Sequence, residues 1–189
     1  MTATVGRCTC RGKENSDANL LGEFDRALAY TDDLQVGLTP EQIAWRPEAQ
    51  SSAIGWHLGH QPAVAHYMLR NLIAAEPSID AEIDALMDSA TPERHRADLP
   101  SLEHIHAYRR AVAARIHDRI GQIDERAVGA PNQLRLIAST LLIAIVNHEY
   151  QHSQWISELR TDAFGLDLPP LPSSPRIGVI DDYVVLKAT

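Results

Sequence analysis

Apolar residues recur at helical spacing along most of the chain, and four stretches keep the pattern long enough to be full helices. The first runs from about Ala18 to Val36, with Leu20, Leu21, Phe24, Leu28 and Leu34 on its stripe and Gly37 placed to end it. Thr39-Pro40-Glu41-Gln42 has the spacing of a capping box with proline in the first turn, so a short helical turn starts there. Ile43 and Trp45 are expected to fold back onto the core, and Arg46-Pro47 to lead into a loop. A second long helix is predicted from about Ser52 to Ala75, its apolar side made by Ile54, Leu58, Val64, Met68, Leu69 and Leu72. Pro62 falls inside it and removes a backbone bond to Leu58, so this helix either kinks or begins later. Residues 78–88 suit a short helix capped by Ser78, and the polar stretch 89–100 suits a loop. Ser101 caps a third long helix carrying Ile105, Tyr108, Val112, Ile116, Ile120 and Ile123. After the break at Gly129-Ala130-Pro131-Asn132, a fourth runs from about Asn132 to Arg160 with Leu134, Ile137, Leu141, Ile145, Trp155 and Leu159.

The two ends differ from this pattern. Residues 1–17 are polar and aperiodic and are expected to be a disordered tail. Beyond Arg160, Gly165 and four prolines (Pro169, Pro170, Pro172 and Pro175) exclude helix. Residues 178–186, with their β-branched character, suit an extended arm packed on the bundle or on a partner chain. The plan is therefore a tail over 1–17, an all-α four-helix bundle over 18–160, and an extended arm over 161–189.

Composition narrows the function classes. A net charge of −8 without clustered Lys or Arg argues against a nucleic-acid surface. There is no apolar run of about 18 residues, so no membrane span is expected. Cys8 and Cys10 stand in Cys-Thr-Cys, too close to staple the fold; a reducing, cytoplasmic setting is the expectation. The sharper reading of that pair is a two-thiol metal clip, and the plainer one is part of a tail.

Chemistry concentrates in Asn147-His148-Glu149-Tyr150-Gln151-His152. Four residues apart on a helix, His148 and His152 share a face with about 5–6 Å between β-carbons. One metal at roughly 2.0–2.1 Å from each nitrogen suits that bite. The pair also extends the apolar stripe of Leu141 and Ile145, so both rings point into the bundle, where two unsatisfied imidazoles would be costly. A third ligand must come from another helix. Trp56-His57-Leu58-Gly59-His60 offers two histidines on roughly one face, and periodicity does not choose between His57 and His60. Gly59 leaves room for a close neighbour. His66, His104, His106 and His117 read as partly exposed helix residues, and His95 lies in the polar loop.

The combination of Trp56-His57-Leu58-Gly59-His60 with His148-x-x-x-His152, preceded by Leu38-Thr39-Pro40-Glu41-Gln42 and Trp45-Arg46-Pro47, resembles the DinB/YfiT-like metal-dependent bundle family. That family is itself similar to the N-terminal domain of ergothioneine-type sulfoxide synthases. The likeness covers roughly residues 18–160. It implies a four-helix bundle with a pocket at one end. It further implies His60, rather than His57, as the ligand that joins His148 and His152 around zinc, nickel or iron. Many family members carry Gln three residues after the last histidine; this chain has Trp155 there, and its Pro62 is also unusual.

The activities implied centre on a small-molecule substrate. Some relatives use the metal to activate a low-molecular-weight thiol such as mycothiol, bacillithiol or glutathione, for S-transfer or for isomerisation of an electrophile. Asn147, Tyr150, Gln151 or Tyr67 would orient substrate, with Tyr67 favoured because it lies about two turns from His60. Four readings stand beside the thiol reading. His148-Glu149-x-x-His152 fits the zinc-peptidase pattern, but no histidine follows His152. Glu149 as a base would make a small-molecule hydrolase. A three-histidine ferrous centre would make an oxygenase. A non-catalytic metal-binding or stress-response bundle needs no chemistry at all. The resemblance also implies a homodimer.

Overall fold

The computed structural model describes residues 16–73, 75–91, 95–96 and 98–187. Cys8, Cys10 and most of the expected tail lie outside the described residues.

The first helix, α1 (Ser16–Gln35), starts two residues ahead of the expected Ala18 and ends before Gly37, whose φ of +82° is left-handed. Helix α2 (Pro40–Ala44) has its full capping box: Thr39 Oγ1 accepts from Gln42 N–H, and Gln42 Oε1 accepts from Thr39 N–H at 2.9 Å. Ile43 is buried behind it, but Trp45 is not: it stays 41% exposed, its ring edge-on to Phe164. The third helix, α3 (Ile54–Leu72), runs through Pro62 and does not begin after it. Helix α4 (Ala81–Leu86) is capped by Asp80, which accepts from the N–H groups of Glu82 and Ile83. The expected cap Ser78 instead donates to Asp84. Helix α5 (Leu102–Asp124) follows its Ser101 cap as read. Helix α6 (Pro131–Glu158) continues into a π-helical turn, Leu159–Ala163. From that turn Arg160 donates to the carbonyls of Leu34 and Val36 at 2.9 and 2.8 Å, which satisfies the end of α1.

The four long helices form one bundle in which α3 touches both α5 and α6, and α1 lies along α6. Phe24 and Leu34 of α1, Leu58 and Leu69 of α3, Ile116 and Ile120 of α5, and Leu142 and Val146 of α6 fill its centre. Each such side chain contributes about 1.5–3 kcal/mol when fully withdrawn from water. Residues 54–63 of α3 are buried without interruption, so this segment has no polar face.

The expected C-terminal arm is a β-hairpin laid on the bundle. Strands β1 (Ile177–Ile180) and β2 (Tyr183–Leu186) pair antiparallel, with Ile177 opposite Leu186 and Ile180 opposite Tyr183. Asp181 and Asp182 make the two-residue turn at φ +50° and +67°, the geometry that matches the twist of the strands. Val184 and Leu186 are buried, and the Leu186 N–H donates to Asn147 Oδ1 at 2.6 Å, which pins the hairpin to α6. Among the described residues, no helix is long and apolar enough to cross a membrane.

Candidate metal centre

Helices α3 and α6 bring His60, His148 and His152 together. One nitrogen from each ring lies within 4.8 Å of the other two. The ring centroids stand 5.2 Å apart for His60 and His148, 4.8 Å for His60 and His152, and 4.4 Å for the α6 pair. Tetrahedral coordination at 2.0–2.1 Å brings ligand nitrogens to roughly 3.4 Å from each other, so closure takes side-chain rotations of about an ångström. His60 and His152 are 4% exposed, while His148 is half-buried.

One contact fixes which nitrogen His60 presents, and a second orients the His152 ring. His60 Nδ1 lies 2.5 Å from the Met87 carbonyl, to which it can only donate, leaving Nε2 free as a ligand. Met87 reaches this position because Gly59 has no side chain; a β-carbon there would stand 2.7 Å from the Met87 sulfur. His152 Nδ1 lies 2.8 Å from His57 Nδ1, and in the tautomer in which His152 donates there its Nε2 keeps the lone pair a metal needs. His57 therefore belongs to the centre as the partner of a ligand, a role its spacing alone did not reveal. Trp56 stacks on His60 at 4.3 Å between centroids, and the Arg96 guanidinium lies over the Trp56 ring at 4.4 Å from its centroid.

Burial sets the charge state. It lowers the His148 pKa to about 4 and that of His57 to about 3, with neighbouring histidines adding to the effect. The same cause lowers His60 and His152. All four rings are therefore neutral at pH 7, the form that donates a lone pair to a metal. Neutral imidazole is a ligand type suited to zinc, nickel and iron.

Glu149 is not brought to this centre. Its carboxylate turns into the bundle, where Arg109 donates to it in a close ion pair and Thr31 Oγ1 donates at 2.7 Å. Gln61 Nε2 donates to the Glu149 carbonyl at 2.9 Å, and Arg109 also reaches Gln61 Oε1 and Asp32. The network touches all four long helices. Tyr67 is 66% exposed and lines a separate cavity of about 350 Å³ with Arg70, Asp84 and Met87. Tyr150 is buried on the Tyr30 side, whereas Asn147 and Gln151 flank His148. Of the remaining histidines, His104 and His117 pair with Asp80 and Asp25 at the surface, as expected of exposed residues. His66 is instead fully buried, 3.8 Å from Asp84.

A family model described as the DinB superfamily matches residues 23–156, a stretch that contains all three histidines. No curated protein matches the chain at a significant level.

Proposed function

The chain belongs to the DinB superfamily, whose members bind divalent metals, and from that premise we propose that it is an enzyme which holds one divalent ion and activates a low-molecular-weight thiol. The thiol would be transferred to an electrophilic metabolite or would assist its isomerisation. The observation carrying this reading is the convergence of three neutral, largely buried imidazoles, two of them held through Nδ1 by neighbouring groups.

A divalent ion with three neutral ligands keeps its full charge and favours the thiolate form of a coordinated thiol. The chain's own residues do the rest. Met87 and His57 hold the His60 and His152 rings beside each other, so that only ångström-scale rotations would bring them onto the ion. Trp56 closes the site on the side of His60 and excludes water there. The position of Glu149 separates this reading from hydrolysis. A hydrolase with Glu149 as base needs that carboxylate beside the ion, whereas here it is engaged by Arg109 and Thr31. A thiol would require no such base, because an ion held by His60, His148 and His152 would itself favour the thiolate.

The test is a panel of thiols with a chromogenic electrophile, using protein loaded with zinc, nickel or ferrous iron. Conjugation above the uncatalysed rate is expected with at least one thiol, falling to background in His148→Ala. Stoichiometric metal without acceleration by any thiol would replace this reading with passive metal binding.

A further inference from the structure

Resting on the metal reading, we propose that substrate reaches the centre through the groove between α6 and the hairpin, and that Tyr183 and Gln151 contact it there. The groove has a volume of about 330 Å³, and His148 forms part of its wall. Two other cavities near the site stop short of the ligands. One of about 600 Å³ ends at His57 and Trp155, and the one beside Tyr67 ends at Met87. Of these three cavities, the hairpin groove is the one walled by a member of the triad. His148 is also the triad residue left half-exposed.

The groove is built, not incidental. Val184 and Leu186 anchor β2 in the core, and Asn147, the residue before His148, receives the Leu186 N–H. These anchors hold Tyr183 over α6 with its phenol in no hydrogen bond among the described residues, while Gln151 offers an amide from the next turn. The hairpin lies beyond residue 156, where the family match ends, so this wall is added outside the matched stretch.

The lining names the ligand class. Valine side chains supply apolar area, a phenol and two amides supply hydrogen bonds, and no Lys, Arg, Asp or Glu takes part. Apart from the ion at its end, whose charge the thiolate meets, the groove offers an ionic group no counter-charge for the water it loses. The substrate is therefore a small thiol with an uncharged, hydroxyl- or amide-bearing body.

Cobalt(II)-substituted protein provides the test, because a thiolate on cobalt gives a charge-transfer band independent of turnover. Thioglycerol, mercaptopropionate and cysteamine serve as neutral, anionic and cationic probes. Thioglycerol should bind most tightly, and Tyr183→Phe and Gln151→Ala should each weaken it about 5-fold or more, the loss of one hydrogen bond. Val179→Ala, on the exposed strand, should leave the titration unchanged. Equal binding of all three probes, or variants that titrate like the parent, would overturn the groove proposal while leaving the metal reading intact. Absence of any thiolate band would overturn thiol activation and the groove together, and failure to take up cobalt would overturn the metal centre itself.

Discussion

Glu149 lies about 100° round the helix from His148, enough to send its carboxylate into the bundle and away from the ligands. There it is 3% exposed and ion-paired with an equally buried Arg109. Removing one member of a buried pair costs about 3–5 kcal/mol, and the lower end applies here because Arg109 keeps Asp32 and Gln61. Glu149→Gln is therefore expected to lower the denaturant midpoint by that equivalent while one metal ion still binds. A catalytic base would show the opposite pattern, with activity lost and stability kept. The role of Glu149 was hidden because its partner, Arg109, is an unremarkable polar position on the α5 stripe, and sequence spacing does not say what a neighbouring helix supplies. His57 and His60 were ambiguous for a related reason: residues 54–63 are buried all round, so their periodicity names no face.

At the scale of elements, α4 delivers a carbonyl to the site. Asp80 caps it, Ile83 and Met87 seat it in the core, and its final turn sets the Met87 oxygen against His60. The approach depends on Gly59, which was legible as a place for close contact, although what would approach was not. Gly59→Ala pushes against the Met87 side chain, part of which is flexible. The expected loss is about 1–3 kcal/mol of stability, the usual range for overpacking. Metal affinity should fall with it, because His60 loses the contact that orients its ring; parallel melting and metal-competition titrations would register both effects. The hairpin is the element the sequence least disclosed. Its β-branched run suggested an extended arm, but the turn is Asp-Asp without glycine, a weak signal for the left-handed pair it adopts.

For the whole molecule, a histidine centre built into the core ties stability to pH. In metal-stripped protein, His148 takes up its proton only near pH 4 and His57 near pH 3, whereas both would do so near 6.5 when unfolded. Between these values the unfolded chain binds more protons, so stability is highest above pH 6.5 and falls as the solution is acidified. The melting temperature of the stripped protein should decline from pH 6.5 to 5, above the range where carboxylates dominate, and His148→Gln should flatten that slope. The bundle itself was readable because four long apolar stripes, punctuated by Gly37, Ser101 and Pro131, leave few other ways to bury them. The most direct measurement is the metal content of protein purified without an affinity tag, compared among single alanine variants. One divalent ion per chain is expected, lost in His60→Ala, His148→Ala and His152→Ala but only weakened in His57→Ala. An ion that survives His60→Ala and vanishes in His57→Ala, or no ion at all, would contradict the account.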